Sequence, residues 1–209
     1  MNESLENTTA VIVVYRSNEV IFRCLEGIKN LKKIIIDNGN DKDLKDKLTT
    51  SYKNLDYVIL DKNIGFGSAA NIGIKKANTE NILLLTPDII FEENSIINLS
   101  NTFNNYKNIG LVAPQIFDQN NKYLNNHCYS EFKKKTRTKV QKNIHSRISE
   151  TIPDGDLSTD FITGAIFLAK KSVLLDVGLF DENFFLYSED SDLCYRIREQ
   201  KLLILETTS

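Results

Sequence analysis

The sequence carries no excess of charge of either sign. Lys and Arg number 26 against 28 Asp and Glu, a net charge of −2 at pH 7, so nothing points to nucleic-acid binding through bulk charge. Nor is there an apolar run approaching the roughly 18–20 residues of a membrane-spanning helix. The start, Met1 to Thr9, is polar and acidic, unlike a signal peptide. Cysteine is scarce. Cys24, Cys128 and Cys194 are odd in number and have neither close pairing nor metal-ligand spacing, which fits a reduced cytoplasm. Two phosphate-binding signatures are also missing: the third glycine of a dinucleotide fingerprint and the Lys of a P-loop.

What is present is ordinary for a globular protein: 209 residues, 41% hydrophobic and 26% charged. That length suits one well-cored domain. The run Asn81-Ile82-Leu83-Leu84-Leu85 reads as a strand buried on both faces. Pro87 ends it, because proline cannot donate to the sheet ladder. Asp88 then stands just past the carboxyl end of a central strand, where open α/β sheets bind ligands. Two readings of Asp88 stand side by side: a ligand for a divalent cation, or a cap for a helix starting near Phe91.

Similar strands occupy Ala10–Tyr15, Ile34–Ile36 and Leu55–Leu60, and the last two end at Asp37 and Asp61. Between them, Val20, Cys24, Ile28 and Leu31 recur at helical spacing behind Ser17 or Asn18 as a cap, and Leu44, Leu48 and Tyr52 mark a second helix. This alternation predicts a parallel sheet joined by crossover helices. Cys24 belongs to the apolar stripe and reads as core. Asn63 to Gly73 holds Gly65 and Gly67, which permit a tight turn, followed by small residues that let a helix lie close to the sheet.

Further on, Glu92–Tyr106 reads as a helix, Ile109–Phe117 as a strand interrupted by Pro114, and Asp160–Ala169 as a strand containing Gly164-Ala165. Ser172–Val177 suggests a short helix stopped at Gly178, and Leu202–Leu205 a final strand. Between residues 120 and 159 periodicity fails; Lys133–Lys135, Arg137, Lys139 and Lys142 make this a basic loop, and His127 and His145 lack metal-pair spacing. Ser188, ahead of Glu189, Asp190 and Asp192, reads as an N-cap whose acidic first turn suits the helix dipole.

Asp37, Asp61 with Asn63, and Asp88 therefore converge on one sheet edge. With no catalytic Ser–His or Cys–His pair, such a site points to metal-assisted handling of a phosphorylated ligand.

Ordered blocks now carry a resemblance: Val11-Ile12-Val13-Val14-Tyr15-Arg16-Ser17, Ile34-Ile35-Ile36-Asp37-Asn38-Gly39, Asn63–Gly73, Leu83–Asp88, Thr163-Gly164-Ala165, and Gly178–Arg196. Together they resemble the inverting family 2 glycosyltransferases, particularly the rhamnosyltransferase-like branch. The resemblance implies an α/β, GT-A fold: a mainly parallel, Rossmann-like nucleotide-binding sheet flanked by helices, with a smaller acceptor-binding part. It implies one such domain over 1–209, with a nucleotide-sugar half at 10–118, the variable basic loop at 119–159, and an acceptor half at 160–209. Tyr15, Ser17, Asp37 and Asn38 would line the base and ribose pocket, Asn63, Gly65 and Gly67 its floor, and Asn71 would support it. Thr86-Pro87-Asp88 falls where the family has Asp-x-Asp, so Asp88 would hold Mg²⁺ or Mn²⁺ on the donor diphosphate. Glu189-Asp190 matches the acidic pair that supplies the general base, with Asp190 first, and Thr163-Gly164-Ala165 would lie against the donor sugar and acceptor.

The implied function is metal-dependent inverting transfer of a sugar, from dTDP-rhamnose or a UDP-sugar, to a hydroxyl of a bacterial surface glycan or lipid-linked glycan. Expected partners are that donor and acceptor, with no nucleic acid and at most peripheral membrane association from the cytoplasm. Two departures stand out. Thr86 replaces the first carboxylate of Asp-x-Asp, and the chain ends at Ser209 where members of the family usually continue. The alternative is thus a truncated, non-catalytic nucleotide-sugar-binding domain acting in a complex.

Overall fold

Every residue of β1 (Thr8–Val14) is buried, as is every residue of β4 (Asn81–Leu85). Alternation of apolar and polar residues is absent from these strands because both faces of the sheet are covered. The computed structural model describes residues 6–91, 94–124, 127–128 and 155–208, the pair 127–128 by its backbone. His145 and the Lys133–Lys142 run lie outside the described residues.

In chain order the remaining elements are α1 (Ile21–Gly27), β2 (Lys32–Asp37), α2 (Lys42–Ser51), β3 (Leu55–Ile59), α3 (Phe66–Lys76), α4 (Ser95–Asn105), β5 (Ile109–Pro114) and β6 (Ile116–Phe117). Then follow β7 (Tyr123–Leu124), β8 (His127–Cys128), β9 (Leu157–Ser158), β10 (Phe161–Ile162), β11 (Ile166–Lys170), α5 (Lys171–Asp176), α6 (Glu189–Glu199) and β12 (Leu203–Thr207). Eight strands form one sheet in the order β3-β2-β1-β4-β11-β5-β12-β9. β1 to β4 run parallel, as the alternation predicts, and β12 runs parallel to β5. β11 is antiparallel to both its neighbours, β4 and β5.

Period-2 alternation distributes each strand between two apolar layers. Val11, Val13, Ile36 and Leu84 join residues of α3 and α6 on one face; Ala10, Ile12, Ile35 and Leu85 join α1, α2 and α4 on the other. Each fully buried Leu or Ile contributes about 1.5–3 kcal/mol. Close packing is explicit at α3: a Cβ on Gly73 would sit 2.4 Å from Val11 Cγ1, so only glycine lets this helix approach β1.

Four local readings are corrected. Neither Ser17 nor Asn18 caps α1; its N-cap is Val20, without a side-chain bond, and Ser17 Oγ instead turns back to Tyr15 O. Val20 is exposed, whereas Cys24, Ile28 and Leu31 of the expected stripe are buried, with Ile21 and Leu25 beside them. Ser188 precedes α6 but in the left-handed region, with no side-chain cap bond. Gly164-Ala165 is a turn between β10 and β11 rather than the interior of one strand, because α6 packs against β10 while β11 joins the large sheet. Cys24 is core, and burial pushes its thiol up to about 12.

Candidate active site

The parallel register brings the carboxyl ends of four strands to one edge. Val14 lies opposite Asp37, Asp37 opposite Ile59, and Ile12 opposite Leu85. Because β11 runs the other way, its start meets that same edge: Ile166 lies opposite Leu85. Thr163, Gly164 and Ala165 thus arrive beside Thr86, whose N–H donates to Ala165 O at 2.9 Å.

Asp37 is 1% exposed and its carboxylate serves the loop that follows β2. Gly39 N donates to Oδ1 at 2.8 Å, while Asp41 N and Tyr57 OH donate to Oδ2 at 2.6 and 3.0 Å. Burial, then the Asp37 charge, raises the Tyr57 hydroxyl well above its ordinary value, so it stays a donor. Asn38, also buried, donates from Nδ2 to Asn63 Oδ1 and Gly65 O and accepts from Ile64 N. Asp37 and Asn38 hold the crevice floor from beneath. Tyr15 and Arg16 stand on its rim, exposed, with the Arg16 guanidinium 5.3 Å from the Tyr15 ring centre. Arg16 was not marked in the sequence as a site residue; its positive φ of 54° is the backbone feature that sets it apart. Ser17 is half-buried and bonded to Tyr15, and Asp61 is exposed after β3.

Gly65 has φ +88°, and a Cβ there would fall 2.3 Å from Phe185 O. Phe66 N donates to that carbonyl at 3.1 Å, so the 63–67 loop and the segment before α6 are joined. Gly67 admits Phe180 Cβ, which a Cβ on Gly67 would meet at 2.9 Å. Asn71 closes the same contact by donating to Phe180 O and Glu182 Oε1 while accepting from Phe180 N. Phe66 packs edge-on against the buried Phe180, ring centres 6.0 Å apart, a contact no sequence pattern announced.

Asp190, the second residue of α6, reaches the β10–β11 turn: Gly164 N donates to its Oδ2 at 3.0 Å, and Ser191 N to its Oδ1 at 2.8 Å. Each carboxylate oxygen has two acceptor positions, so both keep room for a hydroxyl donor. Glu189 is 5% exposed, with Oε2 buried and without a hydrogen-bond partner among the described residues. Burial, with the Asp190 charge adding to it, raises its carboxyl above the ordinary value.

Asp88 is not the cap of α4, which starts only at Ser95 behind Asn94. It is exposed, and its Oδ1 accepts from Thr86 Oγ1 at 2.6 Å. Among the described residues no group of three His, Cys, Asp or Glu is arranged to hold a metal ion. One carboxylate with a neighbouring hydroxyl is nevertheless the hard-oxygen set that suits Mg²⁺ or Mn²⁺ when ligand phosphates complete the shell. A separate cleft of about 440 Å³, bordered by Gly27, Phe91 and Ile96, includes none of these residues.

The sequence profile described as glycosyl transferase family 2 matches residues 9–175. The chain belongs to that family. This glycosyltransferase family member is 23% identical over 205 residues to the low-salt glycan biosynthesis hexosyltransferase Agl10 of Haloferax volcanii, covering 96% of this chain and 64% of that protein. It is 26% identical over 211 residues to rhamnosyltransferase WbbL of Escherichia coli K12, covering 90% and 75% respectively. Its fold matches GalNAc-T7 solved with UDP, GalNAc and Mn²⁺, at a TM-score of 0.68 and 16% identity over 99% of this chain and 42% of that one. A mannosyltransferase from Pyrobaculum calidifontis in complex with GDP-Man and Mn²⁺ matches at 0.64 and 13% identity, over 97% and 56%. The GT-A architecture is that of these neighbours. The chain spans under two thirds of the length of the Haloferax relative and of both structures. No helix among the described residues is long and apolar enough to cross a membrane.

Proposed function

We propose that this chain transfers a sugar, with inversion, from a nucleoside-diphosphate donor to a hydroxyl of a surface glycan, with Asp190 as general base. The observation that carries this reading is the Gly164 N–H to Asp190 Oδ2 bond, which fastens an acidic helix start to the turn beside Thr86 and Asp88. The names of the hexosyl- and rhamnosyltransferase relatives favour a hexose or rhamnose as the sugar transferred, and in our reading its carrier is dTDP or UDP. In this reading residues 10–118 bind the donor and 160–209 bring the base and acceptor, at the cytoplasmic face of a membrane or free of it.

The acceptor hydroxyl donates to the Asp190 carboxylate and gives up its proton there as its oxygen bonds to the anomeric carbon. The bond from that carbon to the diphosphate breaks, and the nucleoside diphosphate leaves with the electron pair. Gly164 N–H and Ser191 N–H fix the base in place. Asp88 would hold Mg²⁺ or Mn²⁺ against the diphosphate, which supplies neutralisation of its growing charge. Asn38 and Asn63 keep the floor loop in shape, and Phe66 closes against Gly164. Asp190→Asn should lower transfer about 10²–10⁴-fold while nucleotide binding persists. An unchanged transfer rate in the purified variant removes Asp190 from this role.

A further inference from the structure

We propose that Phe185–Tyr187 forms a platform for a sugar ring of the acceptor, with Tyr187 stacking on the ring's apolar C–H face; this rests on the function proposed above. Phe185, Leu186 and Tyr187 are consecutive and 57%, 51% and 79% exposed. Three large apolar side chains in a row facing water form a patch that burial would stabilise. The patch is held rather than loose. Phe66 N grips Phe185 O at 3.1 Å, and the Phe185 backbone occupies the space that a side chain on Gly65 would fill.

Strain marks the other flank. Tyr187 and Ser188 have φ of 67° and 72°, two successive non-glycine residues in the left-handed region. Each is disfavoured and persists because its surroundings hold it, a condition that clusters at ligand-binding segments. The strained pair turns the chain directly into α6, so the exposed Tyr187 stands three residues ahead of Asp190 in the chain.

Charge selects the occupant. Between Asp181 and Asp192 stand Glu182, Glu189 and Asp190 as well, and no Lys or Arg; Lys75 pairs with Glu182 and Arg196 with Asp192, which leaves Asp181 and Asp190 to flank the aromatic run in the chain. This acidic stretch repels anionic lipid headgroups. A neutral polyol suits it: its C–H edges meet the negative faces of aromatic rings, and its hydroxyls donate to carboxylates.

The chain has no tryptophan, so Tyr187→Trp installs a single emitter at the platform while keeping an aromatic face. Titration of this variant with methyl glucopyranoside, methyl rhamnopyranoside and methyl N-acetylglucosaminide should give a saturable emission change with at least one of them, and glycerol at matched concentration none. An equal response to glycerol, a response confined to phosphatidylglycerol vesicles, or one that tracks protein concentration and so reports self-association overturns the proposal. In transfer assays using the best-responding pyranoside as acceptor, Tyr187→Ala should raise acceptor KM about three- to tenfold, and Tyr187→Phe should restore it. Equal loss in both variants rules out stacking. Calorimetry of the unsubstituted chain with UDP and dTDP tests the function reading on its own; failure there removes that reading, whereas the emission titration decides the platform.

Discussion

Asn38 Nδ2 donates to Asn63 Oδ1 across 2.8 Å, and this contact ties the loop after β2 to the loop after β3. Asn38 also accepts from Ile64 N, so its side chain is the tie-rod beneath the crevice. Asn38→Ala should cost about 1–3 kcal/mol, because the Ile64 N–H and Gly65 carbonyl lose a buried partner. Thermal melting reads that loss. Calorimetry with UDP or dTDP should show weaker binding in the same variant; full affinity on a less stable protein would show that the nucleotide does not use this floor.

Two glycines with positive φ make a matched pair. Gly65 and Gly155 have φ of +88° and +83°, but a Cβ would strike Phe185 O at 2.3 Å in the first and meet none of the described residues within 4 Å in the second. Alanine at Gly155 should therefore cost only the backbone preference, about 1–2 kcal/mol. Alanine at Gly65 should cost clearly more and displace the aromatic segment. Urea midpoints of the two variants make the comparison, and equal midpoints would contradict it.

Glu189 gives the protein a pH dependence of definite sign. Its folded value lies above the ordinary 4.5, so between the two values the native state binds more protons than the unfolded chain. Stability from this group is complete below 4.5 and is lost as pH rises through the folded value. Glu189→Gln should flatten that limb and leave the variant at least as stable as the parent at neutral pH. Unfolding free energies across a pH series check this; parallel curves for the two proteins would count against it.

A cation site built on Asp88 and Thr86 alone is thin, since the one carboxylate already accepts from its neighbour. Mn²⁺ should bind weakly to the chain by itself and much more tightly with a nucleoside diphosphate present. Asp88→Asn should remove most of that gain. Paired calorimetric titrations measure it, and equal affinity with and without the nucleotide would refute the shared site.

Much of the fold is legible in the sequence because its strands are unusually plain. Ala10–Val14 and Asn81–Leu85 are unbroken apolar runs that end in polar turns, and each becomes a central strand. The endings of Lys32–Asp37 and Asn81–Leu85 place Asp37 and Asp88 at one edge without any knowledge of tertiary structure. Strand direction is different. Nothing local distinguishes Ile166–Lys170 from a parallel strand, and only its pairing with both β4 and β5 turns it around. The caps failed for a related reason. Ser17 and Ser188 have good capping chemistry, but Ser17 is drawn back to Tyr15, and Ser188 lies in the left-handed region. At the site, residue type was readable but orientation was not: Asp37 and Asn38 turn inward to hold loops, while Asp190 reaches Gly164 across sequence-distant elements.

The insertion of β11 between β4 and β5 has a consequence for how this protein is made. β1 to β4 find their parallel neighbours within the first 85 residues, yet the outer edge of β4 stays open until Ile166–Lys170 has been synthesised. Bringing together strands so far apart in the chain carries an entropic cost, and pairing of this kind is slow. A nascent chain stalled before residue 166 would present an apolar strand, Asn81–Leu85, with one side unpaired. It would be sticky and inactive at once, because the strand that covers the edge also delivers Ala165 to Thr86.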